Sequence, residues 1–162
     1  MTVGTTPRSV VSLVEIDAEN WRDVAAVTPI QSQERFVAPI AYYLCLCFYG
    51  PDWSPLGIAV DGRIVGHVMW AVDEADGSYW IGGLVVDAAH QRRGIGRAAV
   101  RALMDRFVAT APNGQVALSY EPENEAARAL YAGLGFVETG ELEGEEVVAR
   151  RSWRTAPDLD PS

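Results

Sequence analysis

Leu84-Val85-Val86-Asp87-Ala88-Ala89-His90-Gln91-Arg92-Arg93-Gly94-Ile95-Gly96-Arg97 decides how this chain is read. Its first residues end an apolar strand, expected from Ser78 to Val86, with Gly82-Gly83 in its interior. Paired glycines weaken a strand and mark a bulge or a close backbone approach to a ligand. A bulge leaves an amide unpaired within the ladder, free to donate elsewhere. The segment from Gln91 to Arg97 then runs into a helix, expected from about Gly94 to Ala109. Its glycines let backbone amides turn inward, and a helix N-terminus adds partial positive charge, so the turn suits a pyrophosphate. Arg92, Arg93 and Arg97 flank it. Gly94-x-Gly96-x-x-Ala99 also matches a dinucleotide fingerprint, but Asp87 to Arg93 separate it from the strand and too few crossovers follow for a doubly wound sheet. No Gly-Lys-Ser/Thr is present, which excludes a P-loop.

Outward from this segment the elements order themselves. Val10 to Ile16 alternates as a strand. Asn20 opens a short helix through about Val27, and a second helical stretch runs from Ser32 or Gln33 toward Tyr49, where Gly50-Pro51 stops it. Pro39 interrupts that stretch, as a kink or as a break into two helices. Leu56–Val60, the Asp61-Gly62 turn and Ile64–Ala71 form a hairpin. Beyond the central helix, Pro112-Asn113-Gly114 precedes a short buried strand from Val116 to Tyr120. Asn124 then caps a helix that Gly135 closes. Strands near Phe136–Thr139 and Val147–Trp153 follow. The layout is mixed α/β. Residues 1–8 and 155–162 read as loose tails around one domain, 9–154.

Composition narrows the function. The chain has 162 residues, 49% hydrophobic and 22% charged, as expected of one globular domain. Thirteen basic against 22 acidic residues give a net charge of -9. That balance disfavours nucleic acid and anionic membranes as partners and favours cations. All thirteen basic residues are arginine, so catalytic-lysine chemistry is excluded. Cys45 and Cys47 fall on nearly opposite faces of a helix and read as buried core thiols, with no metal site. The apolar run Ile40–Tyr49 is too short to span a bilayer. MTVGTTPRSV has no basic region followed by a long apolar one, so no signal peptide and a cytoplasmic location are expected.

Gln91-Arg92-Arg93-Gly94-Ile95-Gly96 after Leu84-Val85-Val86-Asp87, followed in register by Asn124, Tyr131 and Gly135-Phe136, resembles the GNAT superfamily of acyl-CoA-dependent N-acetyltransferases. Within it, Gln33–Ala38 and Leu118–Asn124 look like bacterial spermine/spermidine (diamine) acetyltransferases. The resemblance implies a twisted, mostly antiparallel sheet of six to seven strands flanked by about four helices. That sheet would splay between strands ending near Val86 and Tyr120. It also implies acetyl-CoA as cofactor, coenzyme A as product and no metal.

Under that resemblance the backbone of Leu84, Val85 and Val86 pairs with the pantetheine arm, and a bulge-freed amide, that of Val85, polarises the thioester carbonyl. Such a preorganised donor is worth about 3–4 kcal/mol. The turn from Gln91 through Arg92, Arg93, Gly94, Ile95 and Gly96 to Arg97 holds the pyrophosphate, and Asn124 bonds near the pantetheine end. Tyr131 protonates the leaving thiolate; read by itself it is equally a core aromatic beside Ala127 and Leu134. Some family members carry a Glu five residues before the motif Asn. Here that position is Ser119, which leaves Glu121 or a water chain as base, and Glu121 reads equally as a bystander.

For a small cationic amine acceptor, Glu34 and Glu121 are the single acidic candidates. The runs Glu121–Glu125 and Glu138–Glu146 suggest substrate capture and read alternatively as solvated surface. Tyr42, Tyr43, Trp53, Tyr79 and Trp80 line a groove or pack in the core. His67 and His90 read as structural. The same chemistry on a protein N-terminus, an amino acid or an aminoglycoside-type drug is the alternative, as is a non-catalytic acyl-CoA sensor. A homodimer through edge or terminal strands, near Trp153, is expected by analogy.

Overall fold

The computed structural model describes residues 9–154; the two tails expected at 1–8 and 155–162 lie outside the described residues. Seven strands form one sheet in the order β1-β2-β3-β4-β5-β7-β6. These are β1 (Val11–Glu15), β2 (Ser54–Val60), β3 (Arg63–Val72), β4 (Tyr79–Val86), β5 (Asn113–Tyr120), β6 (Val137–Glu143) and β7 (Glu146–Arg154). Every neighbouring pair is antiparallel except β4 and β5, which are parallel and pair only at Tyr79–Val116 and Trp80–Ala117. Beyond those two residues the strands separate, so the expected splay is present and opens toward Val86 and Tyr120.

Helices cover both faces. On one, α3 (Ile95–Thr110) buries Ala99, Val100, Leu103, Met104 and Phe107, the 3.6-residue stripe legible in its sequence. Tyr131 and Leu134, from and just after α4 (Glu125–Gly133), join that core. On the other face α1 (Trp21–Ala25) and α2 (Ile40–Tyr49) enclose Val24, Val27, Ile40 and Val85. Pro39 sits at the N-cap of α2, where its missing N–H costs nothing. It divides the 31–49 stretch into a 3₁₀ turn, Gln31–Phe36, and a helix.

Three expectations change. Cys45 is exposed and only Cys47 is buried, because α2 turns one face outward. β5 starts at Asn113 rather than Val116. Gly114 lies opposite Trp153, and a Cβ there would stand 2.3 Å from the indole ring, so the glycine admits the aromatic onto the strand. Trp153 lies 5.9 Å from Tyr79, and its Nε1 donates to the Ala111 carbonyl. Finally, residues 140–146 form a hairpin in which Glu143 pairs with Glu146.

Candidate active site

The bulge expected at Gly82-Gly83 is in place. β3 and β4 register as His67–Val85 and Met69–Gly82, so β4 carries one extra residue opposite Val68. Gly83 has φ +57°, a left-handed conformation that side chains resist. His67, fully buried, holds the irregularity with Nδ1 2.7 Å from the Gly83 carbonyl oxygen. A carbonyl only accepts, so Nδ1 carries the proton and Nε2 is the bare nitrogen, buried without a partner. Burial lowers the pKa of His67, while the Gly83 carbonyl opposes that shift.

The register corrects which amide the bulge frees. Asp87 N–H donates to the Val65 carbonyl, and antiparallel bonding pairs recur every second residue. Val85, opposite His67, therefore turns its N–H toward β3, and its side chain packs against the α1–α2 face. Leu84 is the alternative. Across a trans peptide the C=O and N–H point in opposite directions. With the Gly83 carbonyl fixed on His67, the Leu84 N–H of the same peptide points away from that imidazole.

The turn after β4 is shaped by its own bonds. Gln91 Nε2 donates to the Val86 carbonyl at 2.7 Å, and Asp87 accepts from Ala89 N–H, tying the loop to the strand end. Gly94, at φ +72°, is the N-cap of α3 and supplies no capping side chain, so no cap consumes the first-turn amides. This turn floors a cleft of about 540 Å³ that includes Leu84, Val86, Arg92, Gly96, Arg97 and Asn124 among its walls. Gly94, Ile95 and Gln91 also line it, and His90 stands at its rim. Arg93 is exposed and does not line it.

A second cleft, about 1030 Å³, lies across the splay. Both clefts share Phe36, Val37, Leu84, Asn124, Ala127 and Tyr131, so they are continuous past Tyr131. Their charge differs sharply. The smaller has Arg92 and Arg97 and no carboxylate; the larger has Asp52, Asp73, Glu74, Glu121, Glu143 and Glu146 and no arginine. None of these six carboxylates forms an ion pair among the described residues. Nor do His, Cys, Asp and Glu side chains among those residues cluster as metal ligands would.

Asn124 caps α4, its Oδ1 accepting from Ala127 N–H at 3.1 Å, which leaves its amide nitrogen without a partner among the described residues. Tyr131 is 9% exposed and packs at 5.8 Å from both Tyr120 and Phe136. Its hydroxyl bonds to no described residue. Burial first, then the neighbouring Tyr120 and Tyr43 phenols, hold its pKa above the ordinary tyrosine range. Ser119 Oγ donates to Glu146 Oε2 at 2.6 Å.

Two acceptor candidates fall elsewhere. Glu34 is exposed on its 3₁₀ turn and lines neither cleft, although Phe36 and Val37 just after it do. Tyr79 belongs to the core, stacked 4.2 Å from Phe107 of α3. Its neighbour Trp80 lines the acidic cleft, and Tyr79 does not. Tyr42, Tyr43 and Trp53 do line it, with Glu121. Asp52, Asp73 and Glu74 were missed, whereas Glu143 and Glu146 belong to the Glu138–Glu146 run considered for substrate capture, without being singled out in it. Gly144 between Glu143 and Glu146 was the available signal, since a turn there sets the two opposite each other.

Comparison with known proteins matches these features. Residues 12–136 match the acetyltransferase (GNAT) family. A spermine/spermidine N(1)-acetyltransferase of Bacillus subtilis is 28% identical over 112 residues, 64% of this chain and 72% of that protein. The fold resembles a spermidine N-acetyltransferase from Vibrio cholerae, solved with CoA and spermine, at TM-score 0.66 and 16% identity over 88% of this chain and 94% of that one. It likewise resembles a paia N-acetyltransferase from Thermoplasma acidophilum, solved with coenzyme A, at TM-score 0.68 and 11% identity, covering 89% and 99%. With splay, bulge and glycine turn in their family order, the chain belongs to the acetyltransferase (GNAT) family of acyl-CoA-dependent transferases.

Proposed function

We propose that this enzyme acetylates a primary amine of a polyamine such as spermidine or spermine, with acetyl-CoA as donor. One observation carries the reading: the arginine-lined cleft opens directly into one walled by six carboxylates, none of them in an ion pair among the described residues. A lone amine needs one counter-charge. A chain bearing several ammonium groups and methylene spacers suits a long acidic cleft interleaved with Tyr42, Tyr43, Trp53 and Trp80. The spermine/spermidine relative points the same way.

The residues present fit the cofactor. The uncapped first turn of α3, with Arg92 and Arg97 beside it, suits a pyrophosphate. The gap between β4 and β5 admits an extended arm alongside Leu84 and Val86, and the Asn124 amide lies at its inner end. When bound, acetyl-CoA supplies a thioester carbonyl to the junction of the clefts. There the Leu84 N–H, held by the Gly83–His67 bond, is a preorganised donor worth about 3–4 kcal/mol in the transition state.

Tyr131 is the acid. Its raised pKa keeps the phenol loaded at every working pH. The desolvation that raises it would also raise the basicity of a thiolate formed there, so the proton has somewhere to go.

The test is thiol release from acetyl-CoA across an amine panel. Spermidine and spermine are expected to show kcat/KM at least tenfold above a neutral peptide N-terminus, an amino acid and an aminoglycoside. A peptide preferred over both polyamines would assign the chemistry to a different acceptor.

A further inference from the structure

Ser119 occupies the place where some acetyltransferases of the resemblance carry a glutamate, yet the structure brings a carboxylate to Ser119 from another strand. β5 and β7 register as Ser119–Val148 and Tyr120–Val147, which brings Glu146 to the next position along, on the face that Ser119 shares. The Ser119 hydroxyl donates to Glu146 Oε2 at 2.6 Å, fixing the carboxylate by one oxygen. Oε1 accepts no bond from any described residue, and Glu146 lines the acidic cleft together with Tyr131. The proximity is electrostatic as well as geometric: the charge of Glu146 reaches Tyr43, and Tyr43 in turn reaches Tyr131.

We propose that Glu146, oriented by Ser119, is the general base that takes the proton from the attacking amine. This rests on the acetyltransferase reading above and supplies the base that Ser119 leaves missing. Glu121 shares the cleft, but no hydrogen bond to a described side chain fixes it, and a base must be positioned before it is useful. No guanidinium among the described residues pairs with Glu146. The titratable groups around it are Tyr43 from α2, Glu121 from the end of β5, Glu143 from β6 and Tyr131 from α4.

The proton balance closes. An alkylammonium, with a pKa near the ~10.4 of lysine, first gives one proton to solvent to free its lone pair. As the N–C bond forms and the C–S bond breaks, the nitrogen becomes positively charged and far more acidic than a free ammonium. Glu146 Oε1 takes one of its two remaining protons, and the departing sulfur takes the phenolic proton of Tyr131. Glu146 then returns its proton through solvent to the Tyr131 phenolate, and each turnover releases one proton overall.

The experiment compares Glu146→Gln, Ser119→Ala and Glu121→Gln in steady-state assays with spermidine, alongside acetyl-CoA affinity by calorimetry. Glu146→Gln, which keeps the shape and a bond to Ser119, is expected to lower kcat about 10²–10⁴-fold with acetyl-CoA Kd within twofold. Ser119→Ala should fall between this variant and the wild type, and Glu121→Gln, in the wall of the acidic cleft, should act on KM for spermidine more than on kcat. A Glu146→Gln enzyme within threefold of the wild-type kcat, or one altered only in KM for spermidine, overturns the assignment. Wild type that releases no thiol with any amine overturns the acetyltransferase reading itself, a different outcome from an active wild type with an equally active variant.

Discussion

His67 Nδ1 and the Gly83 carbonyl oxygen stand 2.7 Å apart, and this one bond ties a buried imidazole on β3 to the extra residue of β4. The ring lies nearly parallel to Tyr43, 8° between planes at 5.7 Å, so it cannot swing to another partner without losing that contact. The bond fixes the direction of the next amide, Leu84 N–H, and so the position of the donor proposed for the thioester carbonyl.

A pH effect on stability follows. Burial lowers the folded-state pKa of His67 below the ordinary value of about 6.5. Above that value the imidazole is neutral in both states and pH changes nothing. Below it the unfolded chain gains a proton that the folded chain refuses, so stability falls as pH drops from about 6.5 toward the folded pKa. Thermal unfolding from pH 7.5 to 5.5 should show this decline, and His67→Gln should flatten it. Parallel slopes for the two proteins would contradict it.

The bulge itself is tested at Gly83. Alanine there must hold φ near +57° and place its Cβ 3.1 Å from His67 Cε1. The conformation costs about 1–2 kcal/mol. Urea denaturation of Gly83→Ala should show at least that loss, with acetyl transfer reduced tenfold or more in the fraction still folded. Unchanged turnover would show that the bend is not needed for chemistry.

Much of this was legible in sequence, and the misses share a cause. The paired glycines, the turn and the order of Asn124 and Tyr131 are local patterns, each where it was expected; the splay followed from the family resemblance and not from any local pattern. Val85 against Leu84 as the freed amide, and Tyr79 in the core while its neighbour Trp80 lines the cleft, are differences of one residue. In a strand one residue reverses the face, and a bulge shifts that parity in a way set by its partner strand. Tyr79 and Ile81 face α3 before the bulge, Leu84 and Val86 after it. Glu146 was hidden differently, since only the β5–β7 register brings it to Ser119 from 27 positions away.

Tyr131→Phe separates chemistry from packing. The ring keeps its contacts with Tyr120 and Phe136, and the lost hydroxyl bonds to no described residue. Stability should change by less than about 0.5 kcal/mol. kcat should fall about 10²–10⁴-fold while acetyl-CoA Kd stays put. Equal losses in turnover and affinity would make Tyr131 a packing residue.

The acidic cleft predicts a salt effect. Asp52, Glu74 and Glu143 carry no ion pair, so they remain available to attract a polycation. The triple variant Asp52→Asn, Glu74→Gln, Glu143→Gln should raise KM for spermine at least tenfold and weaken its dependence on ionic strength, with kcat little changed. A salt dependence identical to that of the wild type would place the amine elsewhere.

The most direct measurement is mass spectrometry of spermidine incubated with the enzyme and acetyl-CoA labelled in its acetyl group. Enzyme-dependent formation of spermidine carrying one labelled acetyl group is the predicted result. Spermidine recovered unmodified while a non-polyamine amine in the same mixture takes up the label would contradict the account.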